Sequence, residues 1–476
     1  MATRFNQKRR LGVVIVPDGT LIYNNQPVIG IQDAGAVLIL GNLPTIGVDV
    51  LPANQAIYNE QVVRGAVIIA DGRKLYNNRR VIPASIAGLV STTLGLVANR
   101  LQIPTSVATI AANFTSRRSH YAHPAGDISG IQCVDVGWYM AQGGPTAADA
   151  CTIKRYIEYP AGTFHQVTWA GAASIAIASN SGPTKSDVVV SSVTGQPLVI
   201  PAGAQFFERT VNLNASVTNF PVQVMPAGCS VLGLPDGNVT TDQGNGAAIG
   251  ATSTTNTFGA AALIGSINSA AARSFIVFGD SIAFGQGDVT NVGAKGSSGW
   301  VARMLDNLGH TYFKLAMPGQ SAYELSISYA KVAALVSVLK YSDVIFEHGV
   351  NDLRIGRTLA QILADQQTLY MNVIGPGVRR FQTTITPRTT SSNSWADVAG
   401  QSPQTDGNMA SLNPLNTAIR AGVANIDFVI ETADAAMSAR DSDVWGGPFP
   451  PVLDGTHPTS ARAAALATAL ASNPGL

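Results

Sequence analysis

Three hydrophobic rhythms follow one another along the chain. In the first hundred residues, "VPDGTLIYNNQPVIG" (16–30), "VLPANQAIYNEQVVRG" (50–65) and "IADGRKLYNNRRVIPA" (69–84) share one pattern. Each has a turn, an alternating apolar stretch, Tyr-Asn and a second short apolar stretch. Tyr23, Tyr58 and Tyr76 lie about two units and then one unit of roughly 18 residues apart, and a degenerate copy at "LILGNLPTIG" would fill the gap. Each unit predicts strand, Asn-rich turn, strand. A unit this small cannot cover its own apolar face, so copies must stack on one another or on other chains. Residues 1–100 are therefore expected as an all-β repeat region for anchoring or oligomerisation. A plain β-domain with an accidental echo is the alternative.

From 101 to 243 the period stays at two, with "TIKRYIEYPAGTFHQVTWAG" and "SDVVVSSVTGQPLVIPAGAQFFERTVNL" split by Pro-Ala-Gly turns. Short strands at regular spacing with Gly-rich turns predict a jelly-roll-like β-sandwich. Trp138, Tyr139 and Trp169 suit either its core or a sugar-binding platform. His120, His123 and His165 lack the carboxylate or Cys spacing of a metal set. Residues 244–272, "GNGAAIGATSTTNTFGAAALIGSINSAAA", are small-residue low complexity and read as a linker.

The third rhythm fills 273–476, where apolar strands such as "SFIVFG", "TYFKLAM", "SDVIFEHG", "FQTTITP" and "IDFVIE" alternate with helix-period segments. Five strand–helix units predict a three-layer, flavodoxin-like α/β domain with a parallel five-stranded sheet. The chain is thus expected to be multidomain. In such sheets ligand chemistry gathers at the carboxyl ends of the strands.

Composition narrows the function. The net charge is +1 and only 12% of residues are charged, which argues against a nucleic-acid partner. Three cysteines, Cys133, Cys151 and Cys229, form no CxxC or Cys/His set; a disulfide and small buried hydrophobes are both open. The apolar run after the basic N-terminus is about five residues, too short for a signal-peptide core, and no window suits a membrane span. The expectation is a protein without an export signal, cytoplasmic during synthesis.

Four loops of the α/β region hold a chemical set. Ser281 follows the first strand in "FGDSIAFG", Gly319 the second in "PGQSA" and Asn351 the third in "GVNDL"; Asp454 and His457 share "DGTHP" before the last helix. Gly-Asp-Ser alone is turn chemistry. Together, though, these residue types match acyl transfer. A serine needs a base to take its proton, a histidine needs an acceptor to hold its second nitrogen, and a developing oxyanion needs N–H donors. No cofactor and no metal is required. Asp280 and Asp352 flank the set, with loop-fixing hydrogen bonds the plainer role and Asp280 also a candidate substrate contact, while Glu347 and His348 are strand-end residues near the site with catalysis the lesser reading. Trp395, in the long Ser/Thr-rich stretch 386–408, is a candidate to touch substrate or cover the pocket.

These blocks resemble the SGNH (GDSL-type) hydrolase family, over roughly 273–476. The resemblance implies Ser281 as nucleophile, Gly319 and Asn351 as oxyanion donors, His457 as base and Asp454 as its orienting acid. The second block of that family commonly has an Asn shortly before its Gly, which "KLAMPG" lacks. The stretch "VTWAGAASIAIASNSGPTKSDVVV" is more loosely similar to the sandwich that precedes this domain in bacterial relatives.

The expected activity is ester hydrolysis, removing small acyl groups such as acetyl from a polysaccharide or other acylated surface polymer. The repeats and low charge also resemble, in style, phage tail or virion proteins. There the chain would act at a cell surface or within a virion, as a homo-oligomer or bound to other virion proteins. A structural or adhesive role with secondary hydrolysis, and a lipase or thioesterase, are the alternatives.

Overall fold

The run Ser274–Gly279 is buried at every position, and in the computed structural model it is the central strand of a parallel sheet. The structure describes residues 92–224, 236–250, 256–290 and 293–476, together with the backbone of short strands between residues 4 and 80. It divides into two units, Met1–Leu89 and Val90–Leu476.

In the first unit Arg4–Gln7, Leu11–Ile15, Leu21–Tyr23 and Gln26–Val28 form an antiparallel meander, and Ala66–Ile68, Lys74–Tyr76 and Arg79–Arg80 form another. Two repeat copies therefore contain paired strands on either side of their Asn-Asn dipeptide. The copy around Tyr58 and the degenerate one lie outside the described residues.

In the second unit the parallel sheet has six strands, numbered along the chain: β1 (Leu101–Gln102), β2 (Ser274–Gly279), β3 (Thr311–Ala316), β4 (Asp343–Phe346), β5 (Arg379–Thr383) and β6 (Phe428–Ile430). Their order is β6-β5-β4-β2-β3-β1, and every pairing is parallel. The five strands expected from 273 onward are present. The sixth, β1, is separated from β2 by 171 intervening residues and is too short to show a period of its own. The chain runs from β2 to β3 on one side, then crosses to β4 on the other. Loops after these three strands therefore meet at a topological switch point.

Alternate side chains of the sheet enter two separate cores. Phe275, Val277, Tyr312 and Ile345 pack with α2 (Trp300–Asn307), α7 (Leu412–Ala421) and α9 (Ser460–Leu470). Ile276, Phe278, Phe313 and Phe346 pack with α3 (Ala322–Ser326), α4 (Ala330–Val338) and α6 (Leu359–Asn372), and also with the antiparallel strands of residues 93–267. Short helices α1 (Ser281–Phe284), α5 (Val350–Arg354) and α8 (Thr432–Ala436) complete this half.

The antiparallel strands form sheets with no break at the expected domain boundaries. Thr93–Leu96 pairs with Ala262–Ile267, which pairs in turn with Ile128–Asp135. Two boundaries are thereby corrected. Residues 93–100 belong with the second unit, and 244–272 is no free linker, because Ala262–Ile267 is an interior strand and Asn256–Thr257 pairs with Ser216–Val224. Its small residues answer to close packing: a Cβ at Gly265 would lie 2.6 Å from the Ser129 carbonyl oxygen, and one at Gly259 2.5 Å from the Glu208 carboxylate. Composition alone cannot separate that demand from flexibility.

A buried ion-pair ladder also runs through this region, Arg155 bridging Asp135 and Glu208 while Arg117 and Arg209 share Glu158. Trp138 and Trp169 are core residues, and His120, His123 and His165 are buried with ring nitrogens on Asn99, Arg273 and Tyr159 carbonyls. Cys133 and Cys151 are free, their thiols pushed up to about 12 by burial; Cys229 lies outside the described residues. No helix among the described residues is long and apolar enough to cross a membrane.

Candidate active site

The end of β2 is shaped by what its glycine leaves out. A Cβ at Gly279 would meet the Glu347 carboxylate at 2.8 Å, so the strand closes tightly on its neighbour. Asp280 then turns the chain, its carboxylate accepting the Ile282 N–H at 2.8 Å, and α1 begins with Ser281.

His457 reaches this serine from 176 residues away, and its Nε2 lies 2.7 Å from Ser281 Oγ. Its Nδ1 lies 2.5 Å from Asp454 Oδ2. The other Asp454 oxygen accepts the Thr456 and His457 N–H groups at 3.0 and 2.9 Å. Burial by itself would raise the Asp454 carboxyl. The hydrogen bonds from the His457 ring and the two N–H groups outweigh it and hold the acid well below its usual range. Asp454 is thus an ionised acceptor, which fixes Nδ1 as the protonated nitrogen and leaves Nε2 to accept from Ser281.

The switch point does not explain the histidine's arrival, because β6 is the far edge strand. Helix packing and a close backbone approach do. α9 packs on α2, and Gly287, at φ +89°, lies where a Cβ would be 2.7 Å from the Pro458 carbonyl and 3.0 Å from His457 Cβ. On the other side the Gly455 carbonyl accepts from the Thr389 N–H at 2.9 Å and from the Trp445 ring at 3.1 Å.

The backbone N–H groups of Ser281 and Gly319 have no acceptor among the described residues. Gly319 adopts φ +82°, which favours glycine. The Asn351 amide is buried beside them, but it donates to Asp280 Oδ2 and to the Gln320 carbonyl, each at 3.2 Å. Asn351 reaches the site, then, with its N–H groups engaged.

The flanking residues sort differently. Asp280, offered above as a substrate contact, is fully buried beneath Ser281 and binds backbone and Asn351 instead; this corrects that assignment. Asp352 accepts the Ala322 and Tyr323 N–H groups at 3.0 and 3.1 Å, tying the start of α3 to α5, and burial pushes its carboxyl up to about 6. Burial holds the His348 ring neutral, pushed down to about 3. Trp395 is half-buried; its ring nitrogen donates to Thr389 Oγ1 at 2.9 Å, and its ring lies against Gly455. It supports the histidine loop from the side.

Sequence reasoning missed Gln320, Trp445 and Thr389. None carries a motif. Their signal is position after a recognised loop or burial, and neither shows along the chain.

No protein-family model matches the chain, and neither does any curated protein sequence. Among solved structures it is similar to a carbohydrate acetylesterase from Sinorhizobium meliloti, at 19% identity over 42% of this chain and 96% of that one, with a TM-score of 0.30. It is similar to a GDSL-like lipase from Bacteroides thetaiotaomicron at 14% identity, over 42% of this chain and 85% of the other, TM-score 0.30. An active-site mutant of a family two carbohydrate esterase from Clostridium thermocellum matches 80% of this chain and 97% of its own, at 11% identity and a TM-score of 0.31.

Proposed function

We propose that this chain is a serine ester hydrolase that works through an acyl-enzyme on Ser281. The observation that carries the reading is the line of contacts from Ser281 Oγ through the His457 ring to Asp454, at 2.7 and 2.5 Å. Ser281 Oγ attacks the ester carbonyl carbon as His457 Nε2 takes its proton. The carbonyl oxygen becomes an oxyanion facing the Ser281 and Gly319 N–H groups. Collapse breaks the bond to the alcohol, which leaves with the proton held on His457. Water then repeats the sequence on the acyl-serine, giving the free acid and restoring the hydroxyl. Asn351 joins the oxyanion donors by exchanging its Asp280 or Gln320 contact for the developing charge.

Small acyl groups on a polysaccharide are the substrate class the loops favour, because those around the site are rich in Ser, Thr, Asn and Gly. One observation favours longer acyl chains instead. Phe449 and Leu453, on the loop that carries Asp454 and His457, are 43% and 70% exposed. A chain-length series of aryl esters, run beside acetate release from acetylated polysaccharides, separates the two. Ser281→Ala should lower turnover of an aryl acetate on the order of a millionfold. Retention of more than a few per cent of activity refutes the hydrolase reading.

A further inference from the structure

The oxyanion loop is held from outside the α/β half. A hairpin of Trp138–Ala141 and Gly144–Ala147, from the antiparallel region, projects onto the loop after β3. Its base is fixed: Trp138 and Met140 are fully buried in the core that takes Ala322 and Leu325 of α3, and the Met140 N–H donates to the Pro104 carbonyl at 2.8 Å. Gly144, at φ +113°, lets the hairpin close on the helices, since a Cβ there would lie 2.6 Å from Ser328 Cβ.

Two glutamines join the tip to the loop. Gln320 is fully buried, and its amide donates to the Ala141 and Gln142 carbonyls at 3.3 Å each. Gln142 is exposed at the tip, and its amide donates to the Gly319 carbonyl at 3.2 Å. A Cβ on Gly319 would lie 3.3 Å from Gln142 Cδ, so the side chain lies along the glycine itself.

Resting on the hydrolase reading, we infer that Gln142 is a positioning residue for the reaction: by holding the Gly319 carbonyl it limits rotation about the Gly319 Cα, so that the Gly319 N–H, in the preceding peptide, stays aimed at the oxyanion. A glycine has the widest conformational choice of any residue. Donors stabilise a transition state most when they need no reorganisation as charge develops. The hairpin supplies that constraint from a part of the chain with no nucleophile, base or acid in the site. The antiparallel region is by this account a component of the active site rather than an appended binding module.

The test uses the full chain and an aryl acetate. Gln142→Ala should lower kcat roughly tenfold, less than the loss of a whole oxyanion donor, with KM within about twofold. Affinity for a boronic acid that forms a tetrahedral adduct on the serine should fall by a similar factor. Gln142→Glu keeps the size but faces the Gly319 carbonyl with an acceptor, and should be at least as slow. Gln142→Lys restores a donor and should recover most of the rate. The inference is overturned if Gln142→Ala and Gln142→Glu keep kcat within twofold of the parent, or if Gln142→Lys is as slow as Gln142→Ala. Ser281→Ala, run alongside, keeps the two questions apart. A dead serine variant beside an unimpaired Gln142→Ala refutes only the role of Gln142, whereas an active serine variant refutes the hydrolase reading itself.

Discussion

Glu347 and Asp280 lie side by side next to Ser281, both buried, with Glu347 Oε2 accepting from the Asp280 N–H at 3.4 Å. Burial and then mutual repulsion raise the Glu347 carboxyl well above its usual range, and burial raises Asp280 as well. Two adjacent buried carboxyl groups cannot both ionise cheaply, so burial and repulsion together favour a protonated form of the pair.

That arrangement fixes the sign of a pH effect. A carboxyl whose folded value is raised binds its proton more tightly in the folded state, so its contribution is fully present below the unfolded value of about 4.3 and is lost as pH rises towards the folded one. Glu347→Gln keeps a donor towards Asp280 without the titration. Its thermal midpoint should exceed that of the parent at pH 8, and the gap should close near pH 4. A gap that widens towards acid would contradict the raised carboxyl values.

Asp454 has the opposite sign. Its folded value is depressed, so the stabilisation is present above the unfolded value and disappears as pH falls through the folded one. The side chain is 52% exposed, so solvent screening keeps its share of stability small. Asp454→Asn should barely move the thermal midpoint at pH 7, yet lower kcat about 10⁴-fold by allowing the wrong ring tautomer. Steady-state kinetics and melting curves on one sample check both halves.

Gly287→Ala tests how the histidine is delivered. At φ +89° the alanine is strained by about 1–3 kcal/mol, and its methyl would press on Pro458 and His457. Displacing the ring by a fraction of an ångström should lower kcat on the order of a hundredfold. A variant that melts lower but keeps its turnover would show that His457 does not depend on this contact.

Truncation tests the revised boundaries. A chain beginning at residue 273 loses β1 and also the Leu96 carbonyl, which accepts from Thr311 Oγ1 at 2.6 Å and Ser274 Oγ at 3.2 Å. It also exposes the apolar face of the sheet that packs on the antiparallel strands. Such a chain should lack a cooperative thermal transition, whereas one spanning residues 90–476 should melt cooperatively and turn over an aryl acetate as fast as the full chain. A sharp transition in the shorter chain would restore the expected boundary.

The sequence by itself determined the parallel sheet from residue 273 onward and the loops that carry Ser281, Gly319, Asn351, Asp454 and His457. Buried parallel strands are apolar throughout, short loops follow them directly, and both features are local and can be read along the chain. Tertiary structure alone decided that residues 101–102 add a strand to that sheet, that an Ala/Gly-rich stretch is an interior strand, and that the Asp280 side chain is fully buried beside Ser281. It also decided that the Gln142 amide meets the Gly319 carbonyl. Each depends on pairing between segments far apart in the chain. A two-residue strand has no period, a small side chain looks the same in a linker as at a close crossing of backbones, and an amide in a hairpin tip gains its role from the loop it meets.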